Sequence, residues 1–400
     1  MPRHLSRVQN LAARLSLRLL VGLTLLVGAL HAQKPVDPQV IQRDGATTET
    51  GILNGAEYRI DIPRAWNGSL IVWFHGYAEH GATFHASEHL HPDLETFADR
   101  HYAVAQSAYS EGGWAVQQAY PETETLRRYF NKTYGNPKET YVAGGSMGGA
   151  LVMITLELNP KPYLGGLDLC GAVGPTFVSF DRRFAMRAAF DVYFPGIMGP
   201  LVPVPPDYED TAAVRERITN ALRASPEKAT LVRNLMGLHT DANVARDISY
   251  FTFVVADIQR RAGGNAFDNR NWIYTGTNPS SSATDSELNE GVRRYIADRK
   301  ARDYLTRHYT PTGRLGRPML AIHTIYDPVI PPGLLTLYNE MVESAGLGDR
   351  LVQEYVPHDG HCSITPDEIG HAFDELVTWT HGGPRPLPGL LHEHTPEFRP

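Results

Sequence analysis

Ser146 stands in "VAGGSMGGALVM" among Gly144, Gly145, Gly148 and Gly149. Glycines at that density weaken any strand or helix they interrupt. The segment is therefore either a loose linker or a backbone path that a Cβ would block. A short strand pattern, "ETYVA", precedes it and helical spacing, "ALVMITLEL", follows, which favours the second reading. Gly144-Gly145-Ser146-Met147-Gly148 fits G-x-S-x-G, in which a sharp strand-to-helix turn exposes the serine hydroxyl at the C-terminal edge of a sheet. The N-terminus of the following helix would favour negative charge developing beside it.

A serine hydroxyl becomes a nucleophile only with an adjacent base, itself oriented by an acid. Asp327 closes the strand-like "MLAIHTIYD", and His361 follows the next strand pattern in "HDGHCSIT". His358 is a rival base. Glu354 and Asp359 are rival acids, but Glu354 lies within a strand pattern and Asp359 is too near His361 in sequence to reach around it easily.

The elements that must position these residues alternate. "AEYRIDIP", "SLIVWF" and "YAVAQSAYS" read as strands, the second buried on both faces. "HPDLETFADRH" and "ETLRRYFNKTYG" read as helices, the latter closed by Gly135. After "GLDLCGAVG" the rhythm breaks. Residues 175–315 hold a proline-rich loop and several helical patterns, among them "DTAAVRERITNALRAS" and "DANVARDISYFTFVVADIQRRAGG". "TDSELNEGVRRYIADRKARDYL" opens with Thr284 three residues before Glu287, which predicts a capping box. Strand character returns at "RPMLAIHTIYD" and "RLVQEYVP", with helices after each; the last has Thr365 as its cap and Pro366 in its first turn. The expectation is an α/β fold: a mostly parallel sheet with helices on both faces and a helical insertion. The predicted divisions are a signal at 1–32, core at 33–174, cap at 175–315, core at 316–384 and a tail at 385–400.

"HGY", "GGSMGG", "YDPVIPP" and "GHC", in that order and each after a predicted strand, resemble the α/β-hydrolase family over about residues 50 to 380. That resemblance implies Ser146 as nucleophile, His361 as base and then acid, and Asp327 as the orienting acid. It implies oxyanion donors at the Met147 amide and in the loop after "FHG", Tyr77 first and Gly76 second. Gly76 and Trp114 are then expected at the substrate, although Trp114 equally suits core packing. The Tyr77–Met147 pair looks like that of secreted polyester and aromatic-ester hydrolases. Cys362, directly after the presumed base, is similar to the tannase-type feruloyl esterases, whose bridge ties the histidine segment to the serine segment. Gly145 departs from that pattern, and the resemblance leaves a Cys170–Cys362 disulfide as the available pairing.

The net charge of −7 and the absence of a basic stripe beyond residue 35 argue against a nucleic-acid partner. Arg3, Arg7, Arg14 and Arg18 precede the apolar "LLVGLTLLVGAL", the order of a secretory signal cleaved after Ala32. The predicted location is secreted or periplasmic, without a membrane span once the signal is removed. No motif calls for a cofactor or a metal; His85 and His89 in "HASEHLHP" lack the H-E-x-x-H pattern. The expected activity is carboxylic ester hydrolysis on a small-molecule or polymeric ester. The alternatives are a peptidase of the same fold, whose substrate amine Asp207, Glu209 or Asp210 would hold, an acyltransferase, and an inactive binding module.

Overall fold

The computed structural model describes residues 34–391. The predicted signal and most of the predicted tail lie outside them. Strand β1 (Val36–Arg43) is joined to β2 (Ala46–Leu53) through Asp44-Gly45, and β2 to β3 (Ala56–Ile62) through Asn54-Gly55. All four turn residues have positive φ, 52° and 83° in the first pair and 57° and 84° in the second, as type I′ hairpin turns require. Next come β4 (Leu70–Phe74), α1 (Pro92–Asp99), β5 (Ala103–Ser107), α2 (Val116–Tyr134), β6 (Thr140–Gly145), α3 (Met147–Leu158) and β7 (Gly165–Leu169).

Six helices then intervene before the sheet resumes: α4 (Thr176–Tyr193), α5 (Ala212–Ala224), α6 (Pro226–Met236), α7 (Asp241–Ala262), α8 (Ala283–Gly291) and α9 (Arg299–Arg307). The chain closes with β8 (Met319–Tyr326), α10 (Leu335–Ser344), β9 (Leu351–Asp359), α11 (Pro366–Thr380) and the short β10 (Gly389–Leu390). The sheet order is β1-β2-β3-β5-β4-β6-β7-β8-β9-β10. Pairing is antiparallel from β1 through the β3–β5 contact and parallel beyond it.

Alternate residues of β4 feed two cores, as the strand period dictates. Ile71 and Trp73 meet Leu94 and Phe97 of α1 and Phe373 of α11. Leu70, Val72 and Phe74 meet Leu126 and Phe130 of α2 and Leu151 of α3. The insertion helices bury their apolar faces on this second side.

Three expectations change. Helix α2 begins at Val116 rather than Glu124, carrying Pro121 within it; burial of Val116 and Ala119 holds the extra turns. The Thr284 capping box is absent. Ser282 occupies the cap position of α8, the Thr284 hydroxyl pairs with Thr277, and Asp285 accepts from the Gly276 and Thr277 amides at 3.0 and 2.9 Å. The long helix predicted there is also broken, α8 ending at Gly291 and α9 starting at Arg299. At the other end, Thr365 and Glu368 do form a capping box at the start of α11.

Candidate active site

Strand β6 delivers Ser146 at φ 58°, ψ −118°, a strained conformation for a residue with a side chain, and α3 begins at the next residue. The glycines make the turn possible. A Cβ on Gly144 would stand 2.7 Å from the Phe74 carbonyl oxygen, and one on Gly148 would collide with that same oxygen. Gly145 has ordinary room. The Ser146 segment is pinned from the neighbouring strand, since the Ser146 amide donates to the Leu169 carbonyl at 2.9 Å.

The loops after β8 and β9 bring Asp327 and His361 to this turn. His361 Nε2 lies 2.8 Å from Ser146 Oγ, and its Nδ1 lies 2.7 Å from Asp327 Oδ2. An ionised carboxylate only accepts, so Nδ1 carries the proton and Nε2 is left to accept the serine hydroxyl's. The other oxygen of Asp327 accepts from the Val329 and Ile330 amides at 2.7 and 2.9 Å. Burial alone would raise the Asp327 carboxyl; hydrogen bonds from His323 and His361 and the Ile330 amide outweigh it and hold the group below the ordinary carboxylate range. The rivals sit elsewhere. His358 pairs with Glu368 at 2.8 Å, Asp359 is exposed beside His239, and Glu354 is buried within β9.

Two supports around the acid were not read from the sequence. His323 is fully buried on β8, with Nε2 2.9 Å from the Ile330 carbonyl and 3.4 Å from Asp327 Oδ2. Arg183 reaches from α4 to the loop beyond Asp327, donating to the Pro328 carbonyl at 3.0 Å and to that of Val329. Its guanidinium pairs with Asp247 of α7 and lies over the Phe251 ring at 4.4 Å. The insertion helices thus brace the loop that presents the acid. The only hint in the sequence is an arginine pair inside the apolar "FDRRFAMRAAF".

Cys170, directly after β7, and Cys362 are disulfide-bonded, with Cα atoms 5.3 Å apart. The bridge ties the His361 loop to the strand beside Ser146. Gly360 adds to the same restraint, its amide donating to the Tyr326 carbonyl and its carbonyl accepting from Thr324, both at 2.8 Å.

Opposite the histidine runs the loop after β4. Among the described residues, neither the Tyr77 nor the Met147 amide donates to a protein acceptor, so both are free for a substrate oxygen. The loop is held by His75, whose Nδ1–H donates to the Gly76 carbonyl at 2.7 Å, and by Tyr109, whose hydroxyl donates to the His75 carbonyl at 3.1 Å. The two rings stack with centroids 3.9 Å apart. Burial lowers the His75 pKa, keeping the imidazole neutral. Gly76 lies against Ser146, where a Cβ would stand 3.3 Å from that of the serine.

Ser146 lines two cavities. One, about 50 Å³, is walled by Trp114, Met147, Phe180, Phe251 and Val254. The other, about 570 Å³, is lined by Gly76, Glu79, Asp210, Arg215, Arg246 and His361. Tyr77 borders both. Trp114 lines the small cavity and packs edge-to-face on Phe180 as well, so it is both wall and core. His85 and His89 are exposed loop residues before α1 rather than part of a helix.

The crossed-over order of β4 and β5, the parallel run from β5 to β9 and the serine turn between β6 and α3 are those of the α/β-hydrolase fold. No family profile and no curated protein matches the chain. Solved structures similar to it include feruloyl esterase B from Aspergillus oryzae, 12% identical over 85% of this chain and 81% of that one, with TM-score 0.45. Candida Antarctica lipase A is 10% identical over 94% and 88% of the two chains, with TM-score 0.48. The acylaminoacyl peptidase of Pyrococcus horikoshii is 10% identical over 89% of this chain and 43% of its own, with TM-score 0.43.

Proposed function

We propose that the protein is a serine hydrolase that cleaves carboxylic esters through an acyl-enzyme on Ser146. The observation that carries the reading is the unbroken contact chain from Ser146 Oγ through His361 to Asp327 at a strained strand-to-helix turn. His361 takes the hydroxyl proton as Ser146 attacks the carbonyl carbon, and the tetrahedral oxyanion turns to the Tyr77 and Met147 amides. Protonated His361 then gives its proton to the leaving alkoxide, freeing the alcohol. Water enters on the same side and gives a proton to His361 as it attacks the acyl carbon, and His361 returns that proton to Ser146 Oγ as the acid leaves.

This sequence assigns sides to the cavities. The leaving oxygen must face His361, so the alcohol occupies the larger cavity, which His361 lines. The acyl group then takes the small cavity beside Met147, whose volume suits a short acyl chain. Asp210 borders the alcohol side, but its carboxylate is buried, paired with Arg215 and bonded to the Ser249 hydroxyl. That carboxylate is not available to hold a substrate amine. We also propose that the protein is exported, a reading the disulfide supports because such bonds persist in oxidising compartments.

The test is turnover of p-nitrophenyl acetate by Ser146→Ala. The expected result is loss of at least about a thousandfold in kcat; retention of wild-type turnover would exclude the mechanism. Measuring an aryl ester against a proline anilide separates esterase from peptidase.

A further inference from the structure

Beyond the alcohol cavity lies a third and larger one, about 830 Å³, that borders it through Tyr77 and Glu79. Its walls are the segment around Val202–Pro206 on one side and Phe253 and Ala256 of α7 on the other. That wall is fastened in place. The Gln259 side chain accepts from the Val204 amide at 2.9 Å and donates to the Leu201 carbonyl at 3.0 Å. The floor is fastened as well. Asp257 accepts from the Trp114 amide at 2.7 Å and pairs with Arg260 and Arg261, while Arg261 also reaches Glu111. Ligand cavities formed by restrained elements lose little entropy when filled.

The space around Ser146 is therefore lopsided. The acyl side offers about 50 Å³. The alcohol side offers about 570 Å³ and continues into a further 830 Å³. Charge is uneven too. Glu79, Glu111, Asp257 and Asp298 line the distal cavity against only Arg260 and Arg261. Both guanidiniums are already paired with Asp257, and Glu79 has no ion-pair partner among the described residues. A distal anion would meet this surplus negative charge, most strongly at low ionic strength because Glu79, Glu111 and Asp298 are exposed.

Resting on the ester-hydrolase reading, we infer that the substrate joins a short acyl group to a long alcohol whose far end, uncharged or cationic, sits in the cavity between the Val202–Pro206 segment and α7. Selection then acts on the alcohol at a distance from the reacting bond, while the small cavity restricts the acyl group to short chains.

The experiment measures kcat/KM on the wild-type protein for acetate esters of linear alcohols, short and long, each ending in hydroxyl, trimethylammonium or sulfonate. The expected result is a rise with alcohol length for the hydroxyl and ammonium series. Among the long esters, sulfonate should fall below ammonium by roughly tenfold, with a much smaller gap among the short ones. Ala256→Trp, checked for native circular dichroism, should lower the long-to-short ratio roughly fivefold by filling the distal cavity. Turnover of the short esters with no dependence on length or terminal charge, or an unchanged ratio in Ala256→Trp, overturns the inference and leaves the ester reading standing. Absence of turnover on every ester, with Ser146 unlabelled by a fluorophosphonate, overturns both.

Discussion

Removing the Cys170–Cys362 bridge, as the Cys170→Ser/Cys362→Ser double variant, perturbs stability and catalysis together. The bond joins residues 192 apart in sequence. In the chain-entropy account a crosslink of that span removes enough freedom from the unfolded chain to contribute ~5 kcal/mol. Unfolding entropy of ~2 cal/mol/K per residue makes the corresponding fall in Tm roughly 7 °C for a chain of this size. Cys362 also adjoins His361, whose contact with Ser146 Oγ depends on where this loop sits. A displacement of about 1 Å in a catalytic group costs up to ~10²-fold, so kcat on p-nitrophenyl acetate should drop between about tenfold and a hundredfold. Thermal unfolding by circular dichroism and steady-state kinetics, both without reductant, read the two effects. A Tm within about 1 °C of wild type would refute the crosslink argument. An unaltered kcat would show that the Gly360 bonds to Tyr326 and Thr324 suffice to hold the histidine loop.

Asp327→Asn should keep the fold but lower kcat by up to ~10⁴, because an amide favours the imidazole tautomer with its proton on Nε2. His358→Gln, remote from Ser146 Oγ, should stay within about twofold of wild-type kcat on the same ester; a large loss would reopen the choice of base. Arg183→Met leaves Asp247 buried without its closest cation and should cost ~3–5 kcal/mol in urea unfolding; Arg183→Met/Asp247→Leu should recover the part due to the buried charge and not that of the lost bonds to the Pro328 and Val329 carbonyls. Burial pushes the Asp168 carboxyl up to about 7 from 3.8. The folded state then holds the extra proton between those values, so this group's contribution is complete below pH 3.8 and is lost as pH rises through 7. Asp168→Asn should flatten that slope and gain up to ~4 kcal/mol over wild type in urea titrations on the alkaline side; an unchanged difference across this range would contradict the assignment.

Much of the fold was legible because burial writes itself into composition. Strand β4 is buried throughout and reads as an uninterrupted apolar run. The hairpin of β1 and β2 is not legible as a pattern because β1 is almost wholly exposed and has no apolar face to detect; the Asp44-Gly45 pair is its available signal, and Asn54-Gly55 that of the turn into β3. Helix α4 was hidden by its surroundings. Its cap residue is Pro175, with no side-chain capping bond, and burial of Arg183 and Arg187 with its apolar residues blurs any polar face. At the site, Ser146, Asp327 and His361 each carry a local mark: a glycine-framed turn or a loop after a strand. Asp247 and His323 carry none, and Arg183 only its place in an arginine pair within an apolar run. Their roles depend on how the insertion and β8 pack around Asp327, which no spacing along the chain encodes.

Labelling with a fluorophosphonate followed by peptide mass analysis tests the nucleophile most directly. The expected result is a single phosphonyl adduct on the peptide containing Ser146, with labelling strongly slowed in His361→Ala. An unlabelled protein, or an adduct on any other residue, would contradict it.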